Sequence, residues 1–481
     1  MKHPRTILPL PPLLLLFALC STLAAQTPEA GARVDQVFAR WNSASTPGCA
    51  VGVADDGRTV LERAYGLADL EHDVPNTPAT IFEAGSVSKQ FTAAAIVLLA
   101  LDGKLSLDDD VRKYVPELPD YGTPITIRHM MNHTSGLRDW GSVAGIGGWP
   151  RGLRVYTHDH VVDILSRQRA LNFEPGDQYS YSNSGYNLQA VIVSRVSGMS
   201  FAEFSRTRIF EPLGMTNTQW RDDFRRIVKG RATAYAGRGD GFAIAMPFEN
   251  VHGNGGLLTT VGDLLTWNES LKTAKLAGPE FVEIMHRRGV LNDGDPIGYA
   301  SGLMVGDYNG VAEVSHTGST GGYRAFLARY PEQDLSIALL CNIGSANPGG
   351  LGHDVADVFL GVTVEPQAAG GRRGGGQGGR GGRGGPAVAP QIPAERLAEY
   401  AGEYHSPDAE SMLQLVVEAG QLIALRRPAQ RITLRPTGED SFNASGGLGS
   451  MRFIRDETGR VVQLSVRQSR VFDLRFDRVR R

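Results

Sequence analysis

The chain has 481 residues, 41% hydrophobic and 21% charged, with a formal net charge of −2. That length and apolar fraction allow a large core and more than one domain. The near-neutral balance, without a block of like charges, gives no footing for binding nucleic acid or an anionic membrane through bulk charge.

At the N-terminus, Lys2 and Arg5 precede an apolar stretch from Leu8 to Leu19, followed by the small residues Ala24 and Ala25. This order predicts a signal peptide over 1–25 and a secreted or periplasmic protein. The apolar stretch is shorter than the ~18 residues a membrane span needs, so no stable span is expected. Cys20 is a candidate lipidation site, but the bulky Leu19 before it favours simple cleavage. Cys49 and Cys341 then remain. Both sit in strand-like segments and are expected as two buried thiols, ahead of the disulfide that an exported chain could also form. No Cys-x-x-Cys points to zinc, and no cofactor or metal site is expected.

A long mixed region follows, over 26–365. "PGCAVGVADDGRTVLERAYGLAD" reads as two strands turning at Asp56-Gly57. "FEAGSVSKQFTAAAIVLLALDG" starts polar and becomes apolar on all sides from Ala93 to Leu101, the signature of a core helix, with Gly103 as its stop. Extended back to its first turn, this helix places Ser86 and Lys89 on one face, near N–H groups with no intrahelical partners. "NSGYNLQAVIVSRVSG" predicts a helix closed by Gly198, and Ser200 is a good N-cap for the next. Strands return in "GYRAFLARYPEQDLSIALLCN". Strands at both ends with helices between predict an α+β domain whose sheet joins its two ends.

"GGRRGGGQGGRGGRGG" (Gly370 to Gly385) holds eleven glycines and four arginines and reads as a flexible linker over 366–393. Arg-Gly tracts can bind RNA, but after a signal peptide the linker reading is preferred and no nucleic-acid partner is expected. Beyond it, period-two alternation in "MLQLVVEAGQLIALR", "MRFIRDETGRVVQLSVR" and "VFDLRFDRV" predicts a small antiparallel β domain over 394–481, a barrel or curled sheet.

Taken alone, Ser-x-x-Lys at Ser86 and Lys89 is a weak signal and reads as a capping serine followed by a solvated lysine. Two further stretches change this. "YSYSNSGYNL" carries Tyr181-Ser182-Asn183, and "EVSHTGSTGGYRAF" carries His316-Thr317-Gly318-Ser319. In this order the three resemble the motif set of serine hydrolases related to class C β-lactamases and penicillin-binding proteins. "MNHTSGLRDW", "FEPGDQYSYSNSGYNLQAVIV", "IFEPLGMTNT" and "GNGGLLTTVGDLLTW" extend the resemblance over about residues 30–362.

The resemblance implies a β-lactamase/transpeptidase-like antiparallel sheet flanked by helices. It also implies an acyl-serine mechanism without a cofactor. Ser86 would be the nucleophile, Lys89 would help take its proton, and Tyr181 would act as general base or as relay to the leaving group. Asn183, His316, Thr317 and Gly318 would bind substrate, and the N–H groups of Ser86 and Ser319 would form the oxyanion hole. An ammonium on Lys89 would stabilise the Tyr181 phenolate. The partner would be a small-molecule or peptide substrate, including ones that contain D-amino acids. "LAEYAGEYHSPD" and the strands after it resemble lipocalin-like modules appended to such hydrolases, where they shape or cover the mouth of the site.

One departure bears on the substrate. Class C β-lactamases place a lysine where this chain has His316, and histidine is mostly neutral at pH 7. A peptidase, amidase or esterase is therefore expected ahead of a β-lactamase or a D-alanyl-D-alanine carboxypeptidase. A silent binding protein of the same fold is the alternative of another class. Gly-x-Ser-x-Gly and His-Glu-x-x-His are absent. His158 to His160 reads as a solvated helix start, Asn292 to Gly298 as a turn, and His133 as a structural residue at a helix end. Substrate identity and oligomeric state are not encoded in any readable motif.

Overall fold

The computed structural model describes residues 23–361 and 392–480. Most of the expected signal segment and the Gly/Arg-rich tract lie outside them. Among the described residues no helix is long and apolar enough to cross a membrane.

Six strands, β1 (Cys49–Asp55), β2 (Arg58–Tyr65), β3 (Met304–Tyr308), β4 (Val311–Thr320), β5 (Tyr323–Tyr330) and β6 (Leu335–Cys341), form an antiparallel sheet in the order β3-β4-β5-β6-β1-β2. β1 and β2 turn where the sequence predicts, with Asp56 and Gly57 both at positive φ, as a tight hairpin requires. The β6–β1 pairing closes the unit on itself, as expected for an α+β domain.

Alternation within the strands builds two apolar layers. Val51, Val53, Ile337 and Leu339 pack with Val34 from helix Leu23–Val37, Phe38 just after it, and Val355 from helix Pro348–Leu360. Ala50, Ala54, Ala338 and Leu340 point to the other side, toward helix Val261–Lys272. Cys49 and Cys341 are register partners. They form a disulfide where the sequence favoured two buried thiols, because the β6–β1 register, which no linear pattern shows, sets the two side chains opposite each other.

The Lys89–Leu101 segment is helix α1, and every side chain from Lys89 to Leu99 is buried. The sequence reading carried this helix back through Ser86. Instead Gly85–Ser88 is a 3-10 turn feeding α1. In that tighter winding, residues three apart lie directly over one another, so Ser86 sits above Lys89. Helix α2 (Asn183–Ser197) packs along α1, is N-capped by Ser182 and stops at Gly198 in the left-handed region.

Eight further strands close an antiparallel barrel: β7 (Gly402–Ser406), β8 (Ser411–Glu418), β9 (Gln421–Arg426), β10 (Gln430–Gly438), β11 (Ser441–Ala444), β12 (Gly449–Arg455), β13 (Val461–Gln468) and β14 (Val471–Arg478). Tyr404, Leu413, Leu415, Leu464, Leu474 and Phe476 fill its interior and are buried. The barrel is pinned to the first unit by buried polar contacts. Arg138 donates to the Asp408 carboxylate at 2.7 Å and to the Asp473 carbonyl at 2.5 Å, and Arg169 donates to the other Asp408 oxygen at 2.6 Å. Arg426 donates to the carbonyls of Gly145 and Ile146.

Candidate active site

Three segments distant in sequence meet at the start of α1. The turn Gly85–Ser88 carries Ser86, the approach to α2 carries Tyr181 and Asn183, and β4 carries His316 to Ser319. Close backbone approach brings β4 in. A Cβ on Gly318 would lie 2.0 Å from the Ala84 carbonyl oxygen, and one on Gly85, at φ +52°, would lie 2.5 Å from the Ser319 nitrogen. Only glycine fits such contacts. The backbone at Ser319 therefore lies directly against the residue preceding Ser86.

Lys89 is fully buried. Its Nζ lies 3.3 Å from Ser86 Oγ, 3.0 Å from Asn183 Oδ1 and 2.6 Å from the Asn254 carbonyl oxygen. Burial holds the amine well below the usual lysine range, with repulsion from Arg470 and Arg151 adding to it and Asp139 opposing. The geometry fits a neutral amine. Its two N–H bonds point to two carbonyl oxygens, which can only accept. The lone pair is left for the one partner that can donate, the Ser86 hydroxyl.

Tyr181 behaves differently from the sequence expectation. Burial raises its phenol above the ordinary value, against a hydrogen bond with Ser86 and the charge of Arg470. The predicted ammonium–phenolate pair is thus replaced by a neutral amine and a neutral phenol. Desolvation disfavours both charges, and no nearby charge outweighs it. The Lys89 Nζ lies 4.8 Å and the Arg470 guanidinium 4.6 Å from the Tyr181 ring centre.

Asn183 uses Oδ1 on Lys89, so its NH2 is the end that can face a ligand. Its backbone N–H donates to Asp139 Oδ2 at 2.9 Å. Burial works to raise the Asp139 carboxyl, but Arg470 and the N–H groups of Asn183 and Ser142 prevail and hold it below its usual value. His316 is buried, with Nδ1 donating to the Thr317 carbonyl and Nε2 accepting from the Tyr299 hydroxyl. Burial brings its pKa down to about 4, so it is neutral, as expected from the sequence.

Thr317 is not brought in through its side chain. Strand alternation turns its methyl toward Gly349, on the helix-covered side of the sheet, and leaves it only main-chain atoms to offer. His133 sits at a helix end with φ +60°, as expected, and accepts from the Ser182 N–H. Its ring centre also lies 4.2 Å from that of Tyr181, with the two planes tilted by 38°. His158 starts a helix but is not solvated, because it bonds the His252 carbonyl. A cavity of about 420 Å3 lined by Lys272, His286, Arg329 and Asp334 shares no residue with this cluster.

Sequence reasoning missed Asn254, Asp139, Tyr299 and Arg470. Asn254 and Asp139 lie in "GNGGLL" and "MNHTSGLRDW", stretches already marked by the resemblance. Arg470 carries no local signal. It is half of a two-residue hairpin tip between β13 and β14, more than 280 residues from Tyr181.

The sheet, the buried helix and the Ser-Lys-Tyr cluster define a β-lactamase-like serine hydrolase architecture, and the comparisons agree. Residues 34–360 match the Beta-lactamase family, and the chain belongs to it. It is 30% identical over 322 residues to a D-aminopeptidase of Gluconobacter oxydans, covering 67% of this chain and 60% of that protein. It is also 30% identical over 306 residues to a penicillin-binding protein of Bacillus subtilis, covering 60% of this chain and 66% of the relative. The chain thus spans less than two thirds of each. The octameric penicillin-binding protein homologue from Pyrococcus abyssi superposes with a TM-score of 0.62 at 25% identity, over 93% of this chain and 99% of that one.

Proposed function

We propose that the protein is an exported serine hydrolase that cleaves peptide, amide or ester substrates through an acyl-serine intermediate. The observation that carries this reading is the Lys89 amine, stripped of its charge by burial and spending both N–H bonds on carbonyls. A serine needs a base to be a nucleophile, and this arrangement leaves a lone pair for the Ser86 proton.

Ser86 Oγ attacks the substrate carbonyl as its proton passes to Lys89 Nζ. The N–H groups of Ser86 and Ser319 hold the developing oxyanion. Tyr181, protonated and bonded to Ser86, relays a proton to the leaving nitrogen or oxygen. Water then attacks the acyl-serine by the reverse proton route. Asn183 and the β4 main chain at Thr317 and Gly318 align the substrate. The tyrosine in the second motif, bonded to Ser86 and with its ring 4.8 Å from Lys89 Nζ, supports the class C-like variant of this mechanism.

A D-aminopeptidase relative supports amide substrates that include D-amino acids. The neutral His316 supports an amidase, peptidase or esterase over a β-lactamase. The Cys49–Cys341 disulfide supports an oxidising, secreted or periplasmic setting. Labelling with a fluorophosphonate followed by peptide mass spectrometry should place the adduct on Ser86. Ser86→Ala should lower kcat by at least ~10³-fold. Full turnover by that variant, or labelling only elsewhere, would refute the proposal.

A further inference from the structure

The loss of lysine at the third motif suggested a site without a cation for the substrate. The fold supplies one from another domain. Arg470 sits at the tip of the β13–β14 hairpin, where Ser469 takes φ +52°. The tip is fixed in place: Asn172 donates through Nδ2 to the Arg470 carbonyl at 2.9 Å and accepts through Oδ1 from the Phe472 N–H at 2.9 Å. The Asp139 N–H also donates to the Arg470 carbonyl. With the backbone held on both sides, the guanidinium lies over the Tyr181 ring at 4.6 Å.

Its charge is poorly matched. The one ion pair of Arg470 among the described residues is to Asp139 Oδ2, at 3.7 Å and beyond hydrogen-bond reach, and that oxygen already accepts from Asn183. Arg138, Arg151 and Arg221, by contrast, each lie within 2.8 Å of a carboxylate. The Arg470 side chain keeps 38% of its surface exposed. A planar fork of donors, lying over the ring of the tyrosine that bonds Ser86 and partly open to solvent, matches a carboxylate. An ammonium in the same place would be repelled.

We propose that Arg470 is a specificity-determining residue that binds a carboxylate of the substrate, so that the barrel domain selects anionic over neutral or cationic substrates. This rests on the hydrolase reading of Ser86. It parts from a preference for a free substrate amine.

The test is a set of chromogenic esters of one shape, bearing a carboxylate, a carboxamide or a primary amine beside the scissile bond. These are compared on the full chain, on Arg470→Gln and on Arg470→Lys. The native chain should favour the carboxylate ester in kcat/KM, mainly through KM, with the amine ester poorest. In Arg470→Gln the carboxylate-to-carboxamide ratio should fall about tenfold or more, and Arg470→Lys should restore part of it. The ratio is the decisive readout, because any effect of Arg470 through Lys89 or Tyr181 lowers both rates together and cancels. An unchanged ratio overturns the proposal. If Ser86 fails to label and nothing turns over, the hydrolase reading falls by itself. Calorimetric binding of the matching carboxylate and carboxamide ligands to Ser86→Ala, with and without Arg470→Gln, then decides the role of Arg470 by the same ratio.

Discussion

Replacing Asp408 by alanine tests how the barrel is held. Arg138 and Asp408 are each 3% exposed in their side chains and 2.7 Å apart across the boundary between the two units. Removing the carboxylate leaves a buried guanidinium with neutral partners only, the Gln168 Oε1 at 3.1 Å and the Asp473 carbonyl. An uncompensated buried charge of this kind costs about 3–5 kcal/mol. Arg169 loses its partner too, but at 54% exposure water replaces that contact and little is added. All five tryptophans precede residue 268, so their fluorescence follows the first unit, while far-UV circular dichroism follows both. In urea, Asp408→Ala should lose about 3–5 kcal/mol, and the two signals should separate as the barrel uncouples. Arg138→Met combined with Asp408→Leu removes both charges and should recover most of the loss, because a paired buried bridge roughly breaks even with apolar packing. A single variant within ~0.5 kcal/mol of the native chain, or a double variant as weak as the single, would refute this account.

Two other expectations concern protons. Lys89 must be unprotonated to accept from Ser86, so kcat/KM should rise with pH through its depressed pKa and level off well below the ~10.4 of free lysine; an acid limb near that ordinary value would contradict the buried-base assignment. His316 is held at about 4 in the fold against ~6.5 when unfolded. Between those values the unfolded chain binds a proton that the fold rejects, so its contribution to stability is lost as pH falls through that window, by about 3 kcal/mol. His316→Gln should flatten the slope of unfolding free energy against pH over that range, and an unaltered slope would remove the assignment.

The chemistry of this protein is largely written in short-range order. Ser86 and Lys89 are three residues apart, the apolar run behind them can only be a core helix, and Gly198 ends the helix that begins beside Tyr181. Such features depend on neighbours along the chain, so spacing and period reveal them. The same holds for the hairpins, where alternation fixes which residues point inward. The tertiary structure decided matters of long-range encounter and burial. Only the β1–β6 register sets Cys49 opposite Cys341, and only the packing of β4 turns the Thr317 side chain away from Ser86. Desolvation, absent from any linear pattern, makes Lys89 and Tyr181 a neutral pair rather than an ion pair. Asp408 and Arg470 have no local mark, because their roles arise from the seating of a barrel against a surface formed more than two hundred residues earlier.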